Sequence, residues 1–262
     1  MINFEDRVVL VTGAAHGQGA AEAELFVELG ARVVLADVDA DAVQATAATA
    51  PRDRAFGITL DVSNEQAWQD ALRITLERFG RLDALVNNAG IYRPAPILDA
   101  SMSDVSALIA VNQLGTYLGI RVIGRHMRAA GGGSIVNVAS VAALNPGEMS
   151  ALYGMTKAAV VNLTRGAALE LGPTVRVNCV LPGGIETQML GAASLPFFKT
   201  IPLQRVGRPE EMSRAVAFLA SDASSYCTGA SLVVDGGWTL GQSKQTFSRL
   251  VASAGSKAER SA

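Results

Sequence analysis

The sequence predicts a doubly wound α/β domain: one sheet of seven mainly parallel strands with helices on both faces. Three observations carry the prediction. Seven short apolar runs, at 7–11, 31–36, 54–60, 82–86, 133–138, 174–180 and 231–234, are each long enough for one strand. Stretches with helical spacing separate them, and alternation of strand and helix implies crossovers between parallel neighbours. Finally, 262 residues with 49% hydrophobic content suffice for one large core. Aromatic residues make up only 5%, so the core is expected to be aliphatic, rich in Val, Leu and Ala. No linker composition and no repeat of solenoid length interrupts the pattern. Residues 1–242 are therefore read as a single domain. Residues 243–262, where Ser, Ala, Lys and Glu dominate, are read as a loosely ordered tail, with a subunit contact as its alternative role.

Arg7-Val-Val-Leu-Val11 supplies the first strand. Thr12-Gly-Ala-Ala-His-Gly-Gln-Gly19 follows it, and Ala20 to Leu29 reads as a helix with small residues on its sheet-facing side. Strand, glycine-rich turn and helix bring free backbone N–H groups and a positive helix end together, which suits a pyrophosphate. The glycines at 13, 17 and 19 give Gly-x-x-x-Gly-x-Gly and not the commoner Gly-x-Gly-x-x-Gly. The second strand ends in Asp37, whose carboxylate can accept from the hydroxyls of an adenosine ribose and repels a 2′-phosphate. No Lys or Arg lies between Gly13 and Gly30 or directly after Asp37, and His16 is the one candidate cation there. The expected cofactor is NAD(H) in preference to NADP(H).

Further along, helices starting near Met102 and near Tyr153 carry extended apolar or small faces, including Ala158, Ala159 and Ala167. Such faces suit packing against the same helices of a second subunit. Ser140 follows the strand Ile135–Val138. Tyr153 and Lys157 share one helix face four residues apart, so the ammonium can lie beside the phenol or beside the group on which the phenol works. A phenol at its usual pKa of about 10 is a poor acid–base catalyst at neutral pH, and a fixed cation lowers it. Lys157 is therefore expected to lower Tyr153.

These residues resemble the short-chain dehydrogenase/reductase family from about Phe4 to Trp238. Thr12–Gly19 matches its glycine motif, Asp61-Val62 its adenine pocket, and Asn87-Asn88-Ala89-Gly90 its Asn-Asn-Ala-Gly motif. The family's catalytic Asn, Ser, Tyr and Lys fall on Asn112, Ser140, Tyr153 and Lys157. Pro182-Gly183, with Ile185 and Thr187, matches the segment that holds the nicotinamide. The resemblance implies a Rossmann-type fold and reversible hydride transfer between a secondary alcohol and a ketone. It implies cofactor contacts from Gly13, His16, Gly17, Gln18, Gly19, Asp37, Asp61, Val62, Asn88, Ala89 and Gly90. Tyr153, Lys157, Pro182, Gly183, Ile185 and Thr187 complete that set. In this reading Tyr153 is the general acid and base, and Lys157 also holds the nicotinamide ribose. Ser140 donates to the substrate oxygen, and Asn112 holds a water that links Lys157 to solvent. Asn88 is expected to be structural. The segments 220–229 and Val234–Trp238 make the chain most similar to bacterial NAD-dependent hydroxysteroid and secondary-alcohol dehydrogenases, which are commonly homotetramers. Gln18 and Ala139 depart from the family, in place of an aliphatic residue and a frequent serine.

The segment 188–206 reads as a mobile lid over an apolar pocket, with Leu190, Leu195, Phe197 and Phe198 near the hydride site. Leu144, Glu148 and Met149 are expected to line the same pocket. An apolar lid favours a lipophilic or alicyclic alcohol, with a steroid as one candidate. Glu148 could meet a substrate hydroxyl or amine, or simply be solvated. Two competing readings are an acyl-carrier-protein ketoreductase, against which Asp37 argues, and a cofactor-sensing protein without turnover, against which the intact Tyr–Lys pair argues. A net charge of −2 offers no basic footprint for nucleic acid or for a membrane surface. No apolar run is expected to reach transmembrane length and residues 1–6 are too polar for a signal peptide, so a cytoplasmic location is expected. Cys179 and Cys227, His16 and His126 offer no metal-ligand spacing, and no metal is expected.

Overall fold

A computed structural model describes residues 2–190 and 197–241. The strands are β1 (Val8–Thr12), β2 (Arg32–Asp37), β3 (Ala55–Thr59), β4 (Ala84–Asn87), β5 (Gly133–Val138), β6 (Val175–Pro182) and β7 (Ser231–Val234). They form one sheet in the order β3-β2-β1-β4-β5-β6-β7, and all six pairings are parallel. Every β1 residue is buried, as expected when helices cover both faces of a parallel sheet. The strand order reverses between β1 and β4, and the crevice at that point is where open α/β sheets bind ligands.

The helices are α1 (Gly17–Glu28), α2 (Ala40–Ala47), α3 (Glu65–Phe79), α4 (Met102–Leu108), α5 (Gly115–Ala129), α6 (Ala151–Leu171) and α7 (Pro209–Ala220). Alternation along β1 sends Val9 and Val11 into a core layer shared with Phe26 of α1, Val43 of α2 and Val216 of α7. Val8 and Leu10 enter the opposite layer, beside Trp68 of α3, Ile123 and Met127 of α5 and Ala168 of α6. Local signals fix several ends. Asn64 caps α3 by accepting from the N–H groups of Gln66 and Ala67, and Gly80 ends that helix at φ 76°. The first helix begins at Gly17, so Gln18 and Gly19 lie in its first turn and not in the loop before it.

Two sequence expectations need correction here. Met102–Ala129 is a continuous helical stretch of 28 residues, and a window of 18 residues within it, with mean hydropathy 1.2, is long and apolar enough to cross a membrane by length and composition. Half of it is buried inside the fold, where Leu108, Leu118, Ile123 and Met127 pack into the core. It is also not a plain α-helix. Ile109–Leu114 forms a π-helical turn between α4 and α5, which sets Asn112 in the interior. The expected tail at 243–262 lies outside the described residues.

Candidate active site

A cavity of about 710 Å³ opens at the carboxyl ends of β1, β4, β5 and β6. Its first wall is the glycine turn. Gly13 and Gly17 hold φ of 64° and 57°, a region that side chains rarely adopt. A Cβ on Gly19 would run into the Gly13 carbonyl and the Asn88 amide. The turn is thus drawn tight behind the cavity, and His16, Gly17 and Gln18 face it at the positive end of α1. Asn88 does the structural work expected of it. Its Nδ2 donates to the Thr12 carbonyl at 2.9 Å and the Gly13 carbonyl at 3.2 Å, while Thr12 Oγ1 accepts from the N–H groups of Asn88 and Ala89. Thr187 leans over the turn, with its methyl 3.3 Å from where a Gly17 Cβ would stand.

Asp37 terminates β2 beside this turn. Its two oxygens accept from the N–H groups of Ala15 at 3.0 Å and Asp39 at 3.1 Å. Asp37 is not among the residues that line the cavity. Asp61 and Val62 lie farther out, after β3. Asp61 accepts from the Ser63 N–H and hydroxyl, and Val62 is buried against Gly115 with its carbonyl receiving the Trp68 indole N–H. The Val62 side chain is therefore part of the core. The cradle without Cβ atoms, the helix end and the carboxylate bonded to the turn at Ala15 together fit a dinucleotide.

The second wall carries the reactive groups. Ser140 follows β5 and accepts from the Ala142 N–H at 3.1 Å. A hydrogen bond with Ser140 pulls the Tyr153 phenol down, but burial outweighs it and pushes the phenol up to about 12, with Tyr92 adding to the rise. Tyr92 meets Tyr153 edge to face, ring centroids 5.1 Å apart. Burial brings Lys157 down to about 8. Its Nζ donates to the Val138 carbonyl at 2.8 Å and sits 5.7 Å from the centre of the Tyr153 ring. The phenol was expected to be lowered by Lys157 together with an oxidised nicotinamide ring; in the protein by itself Lys157 donates to a carbonyl and desolvation of the phenol dominates.

Asn112 is fully buried and bonded on several sides. Its Nδ2 donates to the Ile91 carbonyl and to Thr156 Oγ1, each at 3.0 Å, and its Oδ1 accepts from the Ile91 N–H at 2.8 Å. Its own carbonyl accepts from the Thr116 hydroxyl. Asn112 thereby ties the chain after β4 to α6 one residue from Lys157. Gly90 lies between the two: a Cβ there would meet Lys157 Nζ at 3.2 Å and Asn112 Oδ1 at 3.3 Å. Gly90→Ala is expected to displace the ammonium and lower kcat/KM about tenfold, since small displacements of positioned groups are costly. Steady-state kinetics checks this; an unchanged kcat/KM would show that Lys157 has room to move.

The remaining walls hold the expected Glu148, Leu190, Phe197 and Phe198, along with Pro182, Gly183 and Ile185. Leu144 and Met149 do not line the cavity, which corrects their expected role. Leu144 ends the short turn Val141–Ala143 facing solvent, 55% exposed, and Met149 is turned outward at φ 63°. Leu195 lies outside the described residues. The described part of the supposed mobile lid is docked: Phe198 is buried, with its ring where a Gly184 Cβ would stand, and the Leu203 N–H donates to the Gly236 carbonyl. Sequence reasoning missed Tyr92, Asn145, Gln188, Met189 and Trp238 as wall residues. Trp238 had a legible signal. Asp235 precedes a Gly-Gly turn, and its carboxylate accepts from the N–H groups of Gly237 and Thr239, both at 2.7 Å, which swings the indole over the cavity.

The chain matches known proteins along most of its length. A family profile described as enoyl-(acyl carrier protein) reductase matches residues 13–239. Trans-4-hydroxycyclohexanecarboxylate dehydrogenase of Sinomonas cyclohexanicum is 40% identical over 245 residues, covering 90% of this chain and 94% of the relative. The 3-alpha-(or 20-beta)-hydroxysteroid dehydrogenase of Mycobacterium bovis is 40% identical over 242 residues, covering 92% of each chain. Among solved structures, a 3-ketoacyl-(acyl-carrier-protein) reductase from Brucella melitensis complexed with NADH superposes with a TM-score of 0.86 at 35% identity. That match covers 90% of this chain and 99% of the other.

Proposed function

Since this chain belongs to the short-chain dehydrogenase/reductase family and is an oxidoreductase acting on CH–OH groups, we propose that it interconverts a lipophilic or alicyclic secondary alcohol and its ketone with NAD(H). One observation carries the reading: Ser140, Tyr153 and Lys157 share a wall of the cavity that begins at the glycine turn. When bound, the dinucleotide supplies the hydride acceptor or donor at its nicotinamide ring. Gly13, Gly17, Gly19 and the start of α1 hold its phosphates, and Asp37 holds the adenosine ribose. Tyr153 takes the hydroxyl proton in oxidation and returns it to the alkoxide in reduction. Ser140 donates to the substrate oxygen and keeps it within reach of the phenol. Lys157 favours the phenolate as positive charge gathers in the closed site, and it donates to the nicotinamide ribose.

Absorbance of reduced nicotinamide tests the proposal, with NAD⁺ and NADP⁺ offered alongside a panel of alicyclic and steroid alcohols. Turnover with NAD⁺ supports it. Silence across the panel with NADH still bound would favour a sensing role instead. Asp37→Ala is expected to weaken NAD⁺ binding about tenfold, the worth of one or two charge-assisted hydrogen bonds, and to narrow the gap to NADP⁺. An unchanged preference, read from the ratio of kcat/KM values, would place the selectivity elsewhere.

A carrier-protein ketoreductase is the second reading, supported by the likeness to the Brucella enzyme. That relative is in complex with NADH, so an acid at the ribose position does not by itself separate the two readings. A homotetramer and a cytoplasmic location are also part of the proposal. The first is supported by Leu114, Tyr117, Met155 and Leu169, which stand exposed on the helices of the candidate interface.

A further inference from the structure

Glu148 is the one carboxylate among the described walls of the cavity, and the one ammonium, Lys157, is held beside Tyr153 by the Val138 carbonyl. His16 stands at the phosphate end. Lys199 follows Phe198 but is exposed outside the wall.

Glu148 is also held in place by a built turn. The Gly147 carbonyl accepts from the Ser150 hydroxyl at 2.7 Å, and the Met149 carbonyl accepts from the Ala95 N–H at 3.0 Å. Met149 itself sits at φ 63°, which costs energy for a residue with a side chain and turns the backbone sharply just after Glu148. Three aromatic rings also line the cavity. Phe197, Phe198 and Trp238 contact one another edge to face, with centroids 5.3, 5.1 and 5.5 Å apart. Aromatic faces welcome apolar rings and cations and repel anions, and Glu148, a solvent-exposed carboxylate lining the same cavity, is open to a hydrogen-bond donor.

We infer that Glu148 sets substrate class: this site takes an alicyclic alcohol whose far end carries a hydrogen-bond donor, a second hydroxyl or an ammonium, and rejects one that carries a carboxylate. The inference deepens the proposed dehydrogenase reading and rests on it. It separates this chain from the Sinomonas relative, whose name specifies a carboxylate-bearing alcohol.

The test compares cyclohexanol, cyclohexane-1,4-diol, trans-4-aminocyclohexanol and trans-4-hydroxycyclohexanecarboxylate with NAD⁺, in the native enzyme and in Glu148→Gln. The diol and the amino alcohol are expected to exceed the carboxylate in kcat/KM by about tenfold or more. Glu148→Gln is expected to reduce the ratio of amino alcohol to carboxylate about fivefold to tenfold, as loss of one charge at a partly screened site implies. A native preference for the carboxylate, or a ratio unmoved by Glu148→Gln, overturns the inference. So does a carboxylate preference that disappears in Lys199→Ala. If no alcohol, plain cyclohexanol included, is oxidised, the dehydrogenase reading itself fails. Quenching of Trp238 fluorescence then still compares binding of the amino alcohol and the carboxylate, and tighter carboxylate binding counts against the charge selection.

Discussion

Tyr153→Phe is expected to lower kcat about a thousandfold while leaving NADH affinity within about twofold. The size follows from the usual contribution of a positioned proton donor, roughly 10²–10⁴ in rate. The sparing of NADH follows from the structure: the ring that packs edge to face on Tyr92 is retained, and only the hydroxyl beside Ser140 is lost. Stopped-flow turnover and NADH fluorescence titration read the two effects separately. Equal losses in both would show that the phenol serves binding and not proton transfer. A pH profile adds a sign. With burial holding the phenol near 12 and Lys157 near 8, the protonated phenol dominates at neutral pH. Alcohol oxidation, which needs the phenolate, should therefore accelerate as pH rises. Ketone reduction should not share that rise, and Tyr153→Phe should remove it.

Arg176→Ala is expected to be strongly destabilising although it lies away from the cavity. Its guanidinium donates to the Leu219 carbonyl at 3.0 Å, the Ser221 carbonyl at 2.9 Å, and the Ser224 carbonyl and hydroxyl at 3.0 and 2.8 Å. These carbonyls cluster at the end of α7, where a helix leaves its acceptors unpaired. Removing the donor loses several bonds at once, although these carbonyls keep Ser134, Ser224 and Cys227 as further donors, at a cost of about 3 kcal/mol. For a chain of this size that corresponds to a fall in Tm of roughly 6–12 °C. Arg176→Lys should recover only part, because one ammonium cannot span the fork of acceptors. Arg73 forms exposed ion pairs with Asp70 and Glu77, and Arg73→Ala serves as the surface reference, with a Tm change within about 1 °C. A loss at Arg176 no larger than at Arg73 would refute the assigned role.

Much of the architecture could be read from the residues. Strands buried on both faces appear as unbroken apolar runs, so all seven were visible, with ends within two residues. The glycine turn and the Tyr153–Lys157 pair were visible because their chemistry needs local spacing. What stayed hidden depends on partners distant in the chain. Ile-Ala-Val-Asn-Gln-Leu carries no mark of a π turn; the turn exists to bring Asn112 to Ile91 and Thr156. Nearness in sequence misled at Leu144 and Met149, which flank wall residues but point outward because the backbone reverses there. Tyr92 and Trp238 were missed for the converse reason, since remote segments bring them to the cavity. Burial of the Tyr153 phenol, a property of the whole fold, was not legible in the sequence.

The cavity is assembled from Gly13 near one end of the described chain to Trp238 near the other. Its central strand β1 pairs with β4, and the Asp235 turn that delivers Trp238 follows β7. A ribosome making this protein therefore releases the glycine turn early and the last wall late. Through most of its synthesis the nascent chain carries a phosphate cradle but no closed place for chemistry. Activity should arrive abruptly with the final strand, and a chain stalled before β7 should be inert toward alcohols.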